Sequence, residues 1–282
     1  MSAEEAGTLV GTAVADTEPN IPSPTYTETT RIIDAGTDTI IGLVTHLSPE
    51  WVTRLRHAIL PVEMDTVARM AGRMAGGGKT FGWQPKRIVN GRETCRAAGA
   101  STQFPDSHQT LTQLSSELSR QFDLLLPDRA TADRHVLEQV AEEWKMEPGS
   151  LWTSGVINKS ATLPYHRDGM NFHTWSAMPS LRYGTGGGHL HLPEYDITYP
   201  VRDGEVTWFC GKDLIHGVTP MYTRARFTQE QAYRYSIVYY ALAGMKDCRT
   251  FAEETTQSAA RRTARERRMA TELLERIGKD HD

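Results

Sequence analysis

The sequence predicts an α+β protein, a sandwich or barrel of short antiparallel strands with helices before and after it. Two observations carry that expectation. Helical spacing dominates the first half of the chain. From Leu151 the texture changes to aromatic, β-branched segments punctuated by Gly and Pro. At 282 residues the chain is long enough for one large core.

The elements follow in order. Residues 1–30 are rich in Ala, Thr, Glu and Pro and are expected to form a disordered tail. The segment RIIDAGTDTIIGLV (31–44) reads as a strand or hairpin around Gly36. Ser48 and Pro49 are an N-cap and a first helical residue, and Trp51, Leu55 and Ile59 continue the helical spacing. Another helix is expected from about Val62 to Met74, with two more over 109–126 and 131–146. The strands LWTSGVINKS, TWSAMPSLRY, GGHLHLPEYDITYPV, EVTWFCGKDLI and YRYSIVYYAL come next, and a helix over roughly 250–278 closes the chain. One domain is thus expected over 31–282: a mainly helical flank (31–150), a β core (151–243) and a C-terminal helix (244–282).

Composition excludes several function classes. A formal net charge of -4 leaves no whole-chain basic footprint, so contact with nucleic acid would need a local patch. Cys95, Cys210 and Cys248 are far apart and form no C-x-x-C pair. They suggest neither a disulfide framework nor a thiolate zinc site, and they fit a reducing, cytoplasmic setting. No apolar run approaches the ~18 residues of a membrane span, and the acidic N-terminus lacks signal-peptide order.

The chemistry centres on LPYHRDGMNF (163–172). In a strand, His166 and Asp168 point to one face and can chelate one ion. His216, at the end of an apolar strand, is the best third donor. Two His and a carboxylate make a facial triad for non-heme Fe(II). Further on, alternation puts Arg234, Ser236, Val238 and Tyr240 on one face of YRYSIVYY and Tyr235, Ile237 and Tyr239 on the other. An inward Arg with a hydroxyl two residues later is a clamp for a carboxylate.

H-x-D, a distal His and then R-x-S, on a run of short strands, resembles the Fe(II)/2-oxoglutarate dioxygenases. The resemblance implies a double-stranded β-helix, a jelly roll with the metal near one open end. It implies that His166, Asp168 and His216 bind Fe(II), and that Arg234 and Ser236 hold the distal carboxylate of 2-oxoglutarate, with O2 as the other substrate. HRDGMN and RYSIVYY look like the TET/JBP group, including its bacterial and phage members, which oxidises 5-methylpyrimidines in DNA. That likeness implies that Asn171 meets the polar edge of a flipped base and that Tyr240 stacks on it. It covers about 151–243. Leu242 stands where animal members often carry a His, and the cysteine-rich zinc-binding part of those proteins is absent.

The implied partner is DNA with a flipped 5-methylpyrimidine, in a bacterial or phage-infected cell. No membrane and no obligate protein partner are implied, and a monomer is expected. The alternative function is an iron/2-oxoglutarate hydroxylase of a small molecule or protein side chain. A third reading is a catalytically silent jelly-roll binding module.

Other motifs have plainer readings. His189 and His191 share a face but lack a carboxylate at useful spacing, and are expected near the pocket or at the surface. His173 lies beside the triad but out of register, a candidate to support it from behind. AGGGKTFGW lacks the phosphate-loop spacing, because Arg73 stands where Gly is required. A mobile Gly-rich loop with Lys79, Lys86 and Arg87 able to meet phosphates is the remaining reading. Arg261, Arg262, Arg265, Arg267 and Arg268 either follow a DNA backbone or are the solvated side of a helix that packs through Met269, Leu273 and Ile277.

Overall fold

The computed structural model describes residues 1–65 and 76–279. The elements are α1 (Ala3–Thr8), β1 (Thr30–Asp34), β2 (Thr39–His46), α2 (Pro49–Ile59), β3 (Gly77–Gln84), β4 (Arg96–Ala97), α3 (Gly99–Gln103), α4 (Pro105–Leu125) and α5 (Pro127–Val136). They continue with β5 (Ser154–Lys159), β6 (Ser176–Tyr183), β7 (Thr185–Gly187), β8 (Leu190–Leu192), β9 (Ile197–Tyr199) and β10 (Glu205–Phe209). The last are β11 (Gly217–Val218), β12 (Met221–Thr223), β13 (Tyr233–Tyr240) and α6 (Phe251–Lys279).

One large sheet has the order β1-β2-β10-β6-β13-β5-β3-β4, and two small sheets, β11-β8-β9 and β12-β7, complete the jelly roll. Alternation along β13 decides which layer each side chain joins. Tyr235, Ile237 and Tyr239 face outward into a core shared with Leu111, Leu114, Leu118 and Phe122 of α4. Val238 packs on the opposite face, where Met178, Phe209, Leu190, Leu192 and Tyr199 bring the large and small sheets together. The protein is therefore α+β, a double-stranded β-helix core with helices laid on the outer face of its large sheet.

Aromatic side chains dominate the outer core, and their polar atoms are bonded. Phe122 stacks on Trp208 at 5.6 Å between ring centroids. Tyr239 Oη donates to Leu111 O (2.9 Å), Trp208 Nε1 to Thr45 Oγ1 (2.9 Å) and Trp152 Nε1 to Trp175 O (2.8 Å). Each such side chain contributes about 1.5–3 kcal/mol by burial, and the bond prevents its polar atom from cancelling that gain.

Several elements match their sequence signals. Ser48 accepts from Trp51 N–H with Pro49 at the first helical position. The 31–44 segment is the β1–β2 hairpin. The helix expected over 131–146 is shorter, ending at Val136 and followed by single 3-10 turns. Of the expected 62–74 helix, Val62–Asp65 is non-helical and Asp65 bridges to Gly78, while 66–74 lies outside the described residues.

Four expectations are corrected. Residues 1–30 are not a free tail, since Ala6 and Val14 are buried with Tyr165 and Ile215. Gly11 N–H donates to Tyr165 O (2.8 Å) and Tyr165 N–H to Thr12 O (3.0 Å), so this segment braces the residue before His166. The Gly-rich stretch is no mobile loop but strand β3, paired along its length with β5. Gly155 of β5 is needed there, because a Cβ would lie 2.1 Å from the Phe81 ring. Cys95 and Cys248 form a disulfide, with Cα atoms 5.8 Å apart although 153 residues separate them; only Cys210 is a free thiol. Finally, α6 does not pack through Met269 and Leu273, which are 56% and 58% exposed; the Ile277 side chain lies outside the described residues. Among the described residues no helix is long and apolar enough to cross a membrane.

Candidate metal and cosubstrate site

His166 and His216 are brought together by backbone pairing. His166 N–H donates to His216 O (2.9 Å) and His216 N–H returns a bond to His166 O (3.0 Å). Their rings lie 4.3 Å apart. His166 Nδ1 is 2.8 Å from Pro164 O, and His216 Nδ1 is 2.9 Å from Leu214 O. A carbonyl only accepts, so each Nδ1 carries a proton, and the tautomer this selects presents Nε2 as the ligand atom. Both Nε2 atoms face Asp168 Oδ1, at 3.7 and 3.9 Å. Burial holds the His216 imidazole below its ordinary pKa range, against the pull of Asp168, which favours the neutral ligand form.

The carboxylate is positioned as carefully. Asp168 N–H donates to Gly211 O (2.8 Å), and Asn171 Nδ2 donates to Asp168 Oδ2 at 3.3 Å. A Cβ at residue 211 would lie 2.3 Å from Asp168 Oδ2, so only Gly leaves room for the carboxylate. The three donor atoms lie within 4.8 Å of one another. Donor atoms this close could converge on a single ion, which His166, Asp168 and His216 would hold together. Two imidazoles and one carboxylate on one side, with His166 and Asp168 partly open, fit Fe(II) with free coordination positions.

On the same interior face, Arg234 is 1% exposed. Its Nη1 bonds Ser236 Oγ (3.2 Å), while Nε and Nη2 have no partner among the described residues. Burial, and then the Arg182 charge, push the guanidinium down to about 9. A buried cation with two orphaned donors calls for an anion. The donor set and its shape fit a carboxylate.

Sequence reading missed the frame around Arg234. Arg182 is its direct cross-strand partner, and Ser180, with an orphaned hydroxyl, lies opposite Ser236. Arg182 itself is held by Thr185 Oγ1 (2.9 Å) and the carbonyls of Val201 and Gly187. His189 is buried, gives Nδ1–H to Pro200 O (2.5 Å) and is pushed down to about 4 by burial and by Arg182. His191 is buried against Tyr165 Oη (2.6 Å). Only the R-x-S spacing was visible beforehand, because strand pairing is not local in sequence.

The remaining candidates separate. Asn171 is buried beside Asp168 and pairs with Leu242. Tyr240 is half-buried, and burial with the nearby Asp168 charge raises its phenol well above the ordinary range. His173 does not support the triad; it is exposed and pairs with Asp213 (2.5 Å). Lys79 meets no solvent phosphate, being buried against Asp65 (2.8 Å), whereas Lys86 and Arg87 are exposed.

The double-stranded β-helix is shared with a solved structure. The chain is similar to NgTET1 in complex with 5mC DNA, with a TM-score of 0.57 at 14% identity, over 86% of this chain and 89% of that one. Weaker likeness extends to a Trichoplax adhaerens prolyl hydroxylase in complex with a hypoxia inducible factor peptide (TM-score 0.41, 10% identity, 71% and 83% covered). A Pseudomonas putida prolyl-4-hydroxylase follows (TM-score 0.38, 12% identity, 71% and 91% covered). The chain matches no protein-family model and no curated sequence.

Proposed function

We propose that this chain is an Fe(II)/2-oxoglutarate-dependent dioxygenase that oxidises the 5-methyl group of a pyrimidine in DNA, 5-methylcytosine ahead of thymine. The observation that carries the oxygenase reading is the buried, half-satisfied Arg234 on the β13 face whose far end, at Tyr240, senses the charge of Asp168 in the triad. Within the reading, His166, Asp168 and His216 hold Fe(II). Arg234 and Ser236 hold the distal carboxylate of 2-oxoglutarate, with Arg182 keeping the Arg234 face cationic. Fe(II), 2-oxoglutarate and O2 together supply the oxidising power that hydroxylates a methyl group, with succinate and CO2 as co-products.

The chain's own residues do the rest. The tautomers fixed by Pro164 and Leu214 keep both Nε2 atoms ready for metal. Buried Arg234 orients the cosubstrate by two parallel bonds rather than by charge alone. A base inside a duplex cannot reach this interior, so it must leave the stack. Asn171 and Tyr240 then supply a hydrogen-bonding amide and an aromatic face beside Asp168. The 5mC DNA in the NgTET1 complex supports DNA as the substrate.

One observation favours a second reading. Asn171 Nδ2 is turned to Asp168 Oδ2, which makes Asn171 a support for the carboxylate and leaves the substrate open to a small molecule or protein side chain. The test is incubation with Fe(II), ascorbate, 2-oxoglutarate and DNA containing 5-methylcytosine or only thymine, followed by nucleoside mass spectrometry. Hydroxymethyl nucleosides are expected; their absence from both DNAs sinks the DNA reading.

A further inference from the structure

Beyond β3 the chain turns back in a tight hairpin. Arg87 and Arg92 exchange backbone bonds (2.5 and 3.1 Å), and Gly91 N–H donates to Ile88 O (2.8 Å) with Gly91 at φ 70°. The tip carries Ile88 and Val89, 75% and 94% exposed. Two large apolar side chains held out on a closed turn have no role in the core of this chain.

The surroundings of the tip are cationic. Lys86, Arg87 and Arg96 are exposed, and none has a carboxylate within ion-pair distance among the described residues. Arg92 is anchored to Pro85 O (2.5 Å) and Gln84 Oε1 (2.9 Å). Burial and then the charges of Arg96 and Arg87 hold its guanidinium below the ordinary range, a sign of crowded positive charge. A cleft of about 230 Å³ runs from Lys86 and Ile88 to Arg249, before α6, and Arg261, within it; of its two carboxylates, Glu93 pairs with Arg261 and Glu254 accepts from the Cys95 and Arg249 backbones.

The base of the hairpin is also linked to the residues around Asp168 through one short segment. A Cβ on Gly244 would lie 3.0 Å from Pro85 Cβ, at the hairpin base. Next to Gly244, Ala243 N–H donates to Met170 O (3.0 Å), and Leu242 pairs with Asn171. The same short segment thus touches the hairpin and the residues next to Asp168.

Exposed Lys and Arg meet backbone phosphates, but an apolar tip between them has nothing to gain from a phosphate and gains by reaching bases. We propose that Ile88 and Val89 are a wedge that enters a DNA duplex at the base step beside the extruded pyrimidine. The proposal rests on the DNA reading of the site. Extrusion breaks stacking and pairing in a duplex and costs little in a single strand. The wedge offsets that cost by burying its apolar surface in the opened step and keeps the step from closing.

The test compares turnover of one 5-methylcytosine sequence, as duplex and as single strand, by wild type and Ile88→Ser/Val89→Ser. The variant is expected to lose roughly tenfold or more on duplex and less than about twofold on single strand. Retained single-strand turnover shows in the same experiment that the variant is folded. An unchanged duplex-to-single-strand ratio overturns the wedge and leaves DNA oxidation standing. Wild type inactive on both DNAs overturns wedge and DNA reading together. Binding to mixed phosphatidylserine–phosphatidylcholine vesicles that the variant loses, with the ratio unchanged, also overturns it and assigns the tip to a membrane surface.

Discussion

Replacing Arg234 by Met separates a cosubstrate clamp from a merely structural arginine. The guanidinium is held down at about 9, well below its ordinary range. At about 1.36 kcal/mol per pKa unit, that is a penalty of about 5 kcal/mol for a buried cation without an anion. Because the charged form is the disfavoured one, the penalty is present in full below pH 9 and is lifted only as pH rises well above it. At neutral pH, Met removes the charge and keeps most of the volume, and about 1–4 kcal/mol of net stabilisation is expected after relaxation. For a chain of this size each kcal/mol moves Tm by about 2–4 °C. Wild type with Mn(II) should gain about 2.7 kcal/mol when 2-oxoglutarate is present at about 100 times its Kd. Differential scanning fluorimetry with and without 2-oxoglutarate reads both effects. Arg234→Met should melt higher than wild type without the cosubstrate and should not respond to it. A lower Tm without cosubstrate, or an undiminished response, refutes the clamp.

Gly211→Ala places a Cβ 2.3 Å from Asp168 Oδ2; metal affinity by titration calorimetry should fall about 10–100-fold while the urea midpoint scarcely moves. His189, at about 4 against an ordinary 6.5, is neutral in the fold. Its contribution is complete above about pH 6.5 and is lost as pH falls towards 4, about 3 kcal/mol that His189→Gln should remove from the pH dependence of urea unfolding. Cys95→Ser/Cys248→Ser should cost roughly 3–5 kcal/mol in urea unfolding, given the 153-residue separation; two free thiols beside Cys210 in the oxidised wild type would contradict the pairing.

Much of the site was legible in sequence because its signals are local. His166 and Asp168 share a short segment, Arg234 and Ser236 share a strand face, and alternation assigned the two sides of β13 correctly. What failed was non-local. Arg182 lies in an ordinary strand and becomes part of the site only through pairing with Arg234. Gly211 matters only because the Asp168 carboxylate arrives beside it. Lys79 looked available for phosphates until Asp65 closed over it, and β3 looked like a loop because Gly leaves no hydrophobic pattern. The N-terminal anchors Ala6 and Val14 are too small to announce a docked segment. The hairpin tip escaped notice because exposure, unlike hydrophobicity, is absent from a sequence.

Succinate release measured alongside nucleoside oxidation tests the central claim most directly. With 5-methylcytosine duplex, succinate and oxidised base are expected to form in equal amounts, and both should vanish in His166→Ala/Asp168→Ala. Succinate stimulated by peptides or metabolites but not by DNA would contradict the DNA assignment. No 2-oxoglutarate turnover with any substrate would contradict the oxygenase itself.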